Sequence, residues 1–215
     1  IRSKIAASAA LAQSDPVQRD LQETFARTYF GLAQSFLEPS RPDLVAIGGL
    51  SGTGKTTLAY ELAPDIGRAP GARVLRTDVM RKRLLNIPEH EPAPQDAYTK
   101  EASIRVYAAL DHAIQAVLAA GHSAIFDAVF AAENERDKIR RIAGSVEAGF
   151  TGLWLSAPGE TLKGRVSQRS GDASDATPAV VDTQLGYDIG TMTWAEIDAS
   201  QSPEQTAEFA REELP

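Results

Sequence analysis

The chain has no cysteine and only three histidines. Without cysteine there is no disulfide to staple a small core and no thiolate to hold a metal, a composition that suits the cytoplasm. His90, His112 and His122 show none of the spacings that bring imidazoles onto one metal ion. No run of about 18 apolar residues occurs, so no segment is expected to span a membrane. Positive charge is also short: 22 Lys and Arg stand against 29 Asp and Glu, for a formal net charge of −7. A protein that grips long nucleic acids by neutralising phosphates needs the opposite balance, so nucleic-acid partners are not expected. Internal repeats and low-complexity tracts are missing too. Residue 1 is Ile rather than Met, which suggests a fragment or processed chain.

What is present suits one domain with an appendage: 215 residues, of which 43% are hydrophobic. From Asp15 to Leu37 the pattern is helical. Asp15 can cap, Pro16 fits the first turn, and Val17, Leu21, Phe25, Tyr29, Leu32 and Phe36 form a stripe that must bury against something. Pro39 and Pro42 break this helix and lead into an apolar strand from Leu44. Residues 1–42 therefore read as a helical lead or linker and residues 43–215 as the main domain.

Beyond Leu44, helices are expected over 55–63, 79–85, 98–120, 133–148, 160–169 and from Pro178, with a closing helix over 203–212. The long helix over 98–120 carries Ile104, Ala108, Leu110, Ile114, Val117 and Leu118 as its apolar residues. Strands are expected over 73–77, 123–126, 150–155 and 194–197. Residues 86–97, with three prolines, read as a loop or flap, and 170–177 as a small polar loop. Strands alternating with helices argue for a three-layer α/β/α fold with a parallel sheet of about five strands, ligands lying outside the carboxyl ends.

The strand Leu44–Gly48 runs into Gly49-Leu50-Ser51-Gly52-Thr53-Gly54-Lys55-Thr56-Thr57, which fills every fixed position of G-x-x-x-x-G-K-S/T. Glycines keep side chains away so that backbone N–H groups can wrap a polyphosphate. Lys55 opens the next helix, where its ammonium reaches the β- and γ-phosphates beside the positive end of the helix dipole. Thr56 offers its hydroxyl to Mg²⁺. A plain glycine-rich turn leaves Lys and Thr directly after the last glycine unexplained, so the reading is a P-loop that binds nucleotide phosphates.

Further candidates follow from position. Asp78 ends the second strand and Arg81 lies one helical turn on, so the pair can act as base and acceptor grip, or as a helix cap and a solvated cation. Asp127 ends the third strand, where a carboxylate holds magnesium through water or caps a helix. Arg165 and Arg169 share a helix face before Gly171, Asp172, Ser174 and Asp175, as at the base of a lid, though paired arginines are often simply solvated. Arg136 can touch substrate, while Glu133 and Glu135 beside it suit an ordinary surface helix.

The strings Gly48–Thr56, Arg76-Thr77-Asp78-Val79-Met80-Arg81, Phe126-Asp127-Ala128-Val129-Phe130 with Glu135-Arg136, and Arg165–Arg169 with Asp172–Ala176 together resemble bacterial P-loop kinases of the AAA-type ATP-binding kind. In particular the chain looks like the C-terminal half of two-part proteins whose N-terminal half is similar to aminoglycoside phosphotransferases. It is more distantly similar to polynucleotide 5′-kinases, zeta toxins, gluconate kinases and adenylate kinases. The resemblance implies a nucleoside-kinase-like fold with a helical lid, Asp78 as base, Arg81 on the acceptor, and Arg165 and Arg169 as lid arginines. It also implies ATP and Mg²⁺ as cofactors, a small-molecule hydroxyl acceptor, and a covalently linked upstream domain. A nucleotide-sensing module and a nucleic-acid 5′-end kinase are the competing readings; no base-reading motif names the nucleotide.

Overall fold

The computed structural model describes residues 1–37, 41–169 and 171–214. The chain divides into two compact units, Ile1–Ser40 and Arg41–Pro215. Pro39, which was expected to break the second helix, and Ser170, which was expected to begin the polar loop, lie outside the described residues.

The first unit is a pair of helices, α1 (Arg2–Ala12) and α2 (Pro16–Ser35). Asp15 caps α2 by accepting from the Val17 N–H at 2.9 Å, and the Ser3 hydroxyl ties α1 to α2 through the Ala26 carbonyl at 2.8 Å. α1 was not expected as a separate helix, because its alanine-rich sequence distributes apolar residues around the axis and leaves no stripe to read. Within this unit the α2 stripe is not covered: no residue of α2 is buried, and Val17, Leu21, Phe25, Leu32 and Phe36 are exposed.

The second unit is built on five parallel strands in the order β2-β3-β1-β4-β5. In chain order these are β1 (Asp43–Gly49), β2 (Arg73–Arg76), β3 (Ala124–Asp127), β4 (Gly149–Ser156) and β5 (Ala195–Asp198). The helices of this unit are α3 (Lys55–Leu62), α4 (Thr77–Leu84), α5 (Lys100–Ala119), α6 (Glu133–Ser145), α7 (Gly159–Gln168), α8 (Pro178–Leu185) and α9 (Pro203–Glu212). Alternate residues of the central strands feed two cores, as the two-residue period of a strand requires. Leu44, Ala46, Leu75 and Phe126 pack with α5 and α6 residues on one face, while Val45, Ile47, Ile125 and Leu153 pack with α3 and α9 residues on the other. Each buried Leu or Ile contributes about 1.5–3 kcal/mol. Three layers result, and the carboxyl edge of the sheet is left for ligands.

Two readings of local register change. β2 stops at Arg76, so Thr77 and Asp78 stand in the first turn of α4 rather than at the end of the strand. In α5 the buried positions are Ala102, Val106, Leu110, Ile114, Val117 and Leu118. Ile104 is 61% exposed, since the face that meets the sheet begins two residues earlier than the larger side chain indicated.

Candidate active site

β1 delivers the chain into the glycine-rich loop, and the reason for glycine differs along it. A Cβ on Gly49 (φ 139°) would lie 2.6 Å from the Leu155 carbonyl oxygen, and one on Gly52 (φ 88°) would lie 2.6 Å from that of Leu162. These two positions are imposed by close contact with β4 and α7. Gly54 (φ 90°) starts α3 and a Cβ there meets nothing within 4 Å, so it is the glycine that keeps an open face. Lys55 Nζ and Thr53 Oγ1 donate to the Leu50 carbonyl at 2.9 and 2.8 Å, and the Ser51 N–H donates to Gln184 Oε1 at 2.7 Å. Thr56 Oγ1 donates to Asp127 Oδ2 at 2.6 Å.

The loop opens on a cavity of about 950 Å³. Ser51, Gly52, Gly54, Lys55, Thr56 and Thr57 line it from the loop side, and Asp78, Arg81, Asp127, Arg165 and Arg169 line it from elsewhere. Gly49, Leu50 and Thr53 are not among the lining residues. Thr53 instead borders a second cavity of about 310 Å³, together with Gly54, Thr57, Arg165 and Gln201.

At the sheet edge, parallel pairing puts the last residues of β2 and β3 side by side: Arg76 is the register partner of Asp127. Arg76 Nε lies 3.4 Å from Asp127 Oδ2, and its Nη2 donates to Asp172 Oδ1 at 2.7 Å. Arg169 Nη1 lies 3.3 Å from Asp172 Oδ2 and its Nη2 donates to the Ser174 carbonyl at 3.3 Å. A chain of alternating charge thus runs from the Thr56–Asp127 pair to the lid loop. Burial pushes the Asp78 pKa up, and Asp127 adds to the rise, against the pull of Lys55 and Arg76. Ser174, on the polar loop, favours the charged form of Asp78. Burial pushes the Lys55 ammonium down, opposed by Asp127 and Asp78.

The two arginines expected at the base of a lid part company. Arg165 donates to the carbonyls of Ala199 at 2.7 Å and Gln201 at 3.2 Å, bracing the segment between β5 and α9. Arg169 is the residue after α7 with extended backbone (ψ 137°), so the helical spacing that was to align the pair ends before it. Arg81 is buried in the cavity wall, where Nη1 donates to the Ala97 carbonyl at 2.7 Å and the guanidinium lies 4.8 Å over Tyr98. The lid loop is fastened to the proline-rich flap through Asp175. Its carboxylate accepts from Lys82 Nζ at 3.0 Å, the Ala93 N–H at 2.9 Å and the Tyr98 hydroxyl at 2.5 Å.

Arg136 is a correction. It is 2% exposed and absent from the cavity lining. Nη1 donates to the carbonyls of Phe130 and Ala131 at 2.9 and 2.8 Å, and Nη2 to those of Ile189 and Thr191 at 2.6 and 3.0 Å. A planar fork with fixed donors suits this clamp of two loops: the Nη donors go to the four carbonyls, and the Nε–H is buried without a partner away from the cavity lining. Four other residues were not singled out as site residues, Glu135 having been read only beside Arg136 on a surface helix. Arg76 ends a strand at the ligand edge, the same signal that singled out Asp127. Gln184 holds the loop from the last turn of α8, Tyr107 lines the cavity from within α5 and Glu135 from the first turn of α6, positions that carry no such mark in sequence.

The profile of the AAA domain family AAA_33 matches residues 44–187. The chain belongs to the AAA_33 family. An uncharacterized protein of Mycobacterium tuberculosis is 30% identical over 167 residues, covering 74% of this chain and 33% of that protein. The Mycobacterium bovis counterpart shows the same values, so the chain spans about a third of the length of the curated relatives it matches. Among solved structures, a sugar kinase from Janibacter sp. HTCC2649 is 26% identical with a TM-score of 0.57, covering 80% of this chain and 94% of that one. A gluconokinase from Sinorhizobium meliloti 1021 is 20% identical with a TM-score of 0.54, covering 80% and 94%. The Mycobacterium tuberculosis APS kinase CysC, in complex with AMPPNP and APS, is 18% identical with a TM-score of 0.52, covering 81% and 98%. This AAA_33 member therefore has the fold of P-loop kinases.

Proposed function

We propose that the protein is an ATP- and Mg²⁺-dependent phosphotransferase that moves the γ-phosphoryl group to a hydroxyl of a small molecule. One observation carries the reading: a single cavity is lined by the glycine-rich loop with Lys55 and Thr56, by Asp78, by Asp127 and by Arg169. Phosphoryl transfer needs positive charge on the transferring group, a metal and a group that takes the acceptor proton, and little else. Lys55, Arg165 and Arg169 supply charge. The Thr56 hydroxyl and the Asp127 carboxylate, 2.6 Å apart, are oxygen donors of the kind Mg²⁺ takes when phosphates and water complete its shell. Mg²⁺ would neutralise charge on the phosphates.

Asp78 takes the proton from the acceptor hydroxyl as its oxygen bonds to the γ-phosphorus and the bond to the β–γ bridging oxygen breaks, releasing ADP. Burial makes this carboxylate a stronger base than an exposed one. Residues 43–215 form the kinase domain and residues 1–42 its helical lead. The resemblance to two-part proteins, together with relatives of which the chain spans 33%, supports an upstream aminoglycoside-phosphotransferase-like domain in the native protein. ATP as donor fits a cytoplasmic location.

The test is transfer of labelled γ-phosphate to a panel of sugars, aminoglycosides, nucleosides and short oligonucleotides. Lys55→Ala is expected to abolish transfer and weaken ATP binding by at least about 100-fold, the size of effect expected when a buried charge–phosphate contact is lost. Near-normal turnover in that variant would overturn the reading. ATP hydrolysis that no acceptor stimulates would favour a nucleotide-sensing module instead.

A further inference from the structure

The acceptor side of the cavity is walled by Arg81, Gln95, Tyr98, Tyr107, Glu135 and Asp188. Some of these side chains are already committed to the protein. Arg81 bonds the Ala97 carbonyl and stacks on Tyr98, the Tyr98 hydroxyl donates to Asp175, and Asp188 Oδ1 accepts from the Gly190 N–H at 3.0 Å. Others are not. Among the described residues, the Tyr107 hydroxyl and the Gln95 amide make no hydrogen bond, and Glu135 accepts only the Ala132 N–H, at 3.4 Å. No ion pair neutralises Glu135 among the described residues. Its nearest cations are spoken for: Arg136 by four carbonyls and Lys138 by Asp111.

A half-buried carboxylate beside a half-buried, uncommitted phenol is a costly arrangement unless a ligand completes it, and the exposed Gln95 amide is free to join. Burial raises the Glu135 pKa, as it does that of the Tyr107 hydroxyl, which Glu135 pushes further. Charge sets the class of ligand. On this side Asp78, Glu135 and Asp188 line the cavity with Arg81, whose guanidinium is held by the Ala97 carbonyl and Tyr98, while Lys55, Arg165 and Arg169 line it toward the glycine-rich loop, so a carboxylate or phosphate on the acceptor meets like charge.

We propose that Glu135 is the specificity-determining residue of the acceptor site, taking hydrogen bonds from adjacent hydroxyls or an amine of a polyhydroxylated acceptor that bears no anionic group. Tyr107 and Gln95 complete its recognition by donating to and accepting from further hydroxyls. This inference rests on the phosphotransferase reading above and names its substrate class. It sets the acceptor apart from the APS bound by the M. tuberculosis neighbour, since a site rejects the wrong ligand by unpaired or opposed charge as much as it selects the right one.

The experiment compares matched series on the wild type and on Glu135→Gln: hexoses, their hexitols and 2-amino derivatives, and the corresponding aldonates and phosphate monoesters, with nucleosides and an oligonucleotide alongside. For the wild type, kcat/KM for the best neutral or amino member is expected to exceed that of its aldonate by about tenfold or more. Glu135→Gln should shrink or invert that ratio through KM for the acceptor, leaving KM for ATP unchanged. A merely structural role would lower the melting temperature and all rates together and leave the ratio alone. The proposal fails if the aldonates or phosphates are preferred, if the ratio survives in Glu135→Gln, or if only a nucleoside or oligonucleotide is phosphorylated. That last result leaves phosphoryl transfer standing; no labelled product from either series, with Lys55-dependent ATP binding intact, removes both.

Discussion

Replacing Arg136 separates a role in the fold from a role on the substrate. Arg136→Met keeps much of the volume and removes every donor, leaving the carbonyls of Phe130, Ala131, Ile189 and Thr191 without their partner. A buried acceptor left unsatisfied costs about 1–3 kcal/mol. The contact with Phe130 is fully buried and the other three are partly so, which brings the sum to roughly 3–5 kcal/mol once water reaches the outer carbonyls. The guanidinium also lies 6.0 Å from the Trp154 ring, and its bond to Phe130 holds a non-glycine residue at a φ of 51°. Against a total of about 5–15 kcal/mol, such a loss is a large share of the stability. At about 2–4 °C per kcal/mol for a domain of this size, the melting temperature should fall on the order of 10 °C. Urea melts followed by circular dichroism give the free energy, and ATP binding measured well below the transition shows that the site itself is intact. Arg136→Lys should lose somewhat less, since one ammonium cannot span two pairs of carbonyls. A shift under about 2 °C combined with a raised acceptor KM would refute the clamp and return Arg136 to the substrate.

The other outcomes can be stated briefly. Asp78→Asn should lower transfer by about 10²–10⁴-fold with ATP affinity nearly unchanged, and lost affinity with retained chemistry would reassign the residue. The same variant reports on pH. Because the folded pKa of Asp78 is raised, the stability it contributes is full below the ordinary carboxylate pKa and is lost as pH rises through the folded value. Asp78→Asn should therefore melt above the wild type at neutral pH, the gap closing in acid; a variant less stable than the wild type at pH 7 contradicts this. Arg169→Ala should reduce kcat far more than ATP binding, whereas Arg165→Ala should affect both, because Arg165 also braces the segment bearing Ala199 and Gln201. Equal profiles for the two variants would mean that their different partners have no functional weight.

Elements with strong local chemistry were legible from sequence. Strand β1, its loop and α3 follow from an apolar run, three glycines and Lys55-Thr56, and the five-stranded parallel sheet follows from the alternation of strands and helices. Helix α9 spans Pro203–Glu212, the range expected, with Ser202 accepting from the Gln205 N–H. Side-chain destinations were less legible. Arg136 and Glu135 are neighbours on α6, yet one clamps two loops and the other lines the cavity, and that difference depends on the positions of residues 130–131 and 189–191. Arg165 and Arg169 look equivalent at four-residue spacing, but the helix ends between them. Such distinctions come from tertiary placement, which periodicity does not encode.

The fastening of Asp175 to Lys82, Ala93 and Tyr98 has a bearing on traffic through the site. Lys82 is 1% exposed, so its ammonium has given up most of its water for that carboxylate and the Glu89 carbonyl. Two segments distant in sequence are thereby tied at one carboxylate on the cavity wall, so whatever enters meets them as one surface rather than two.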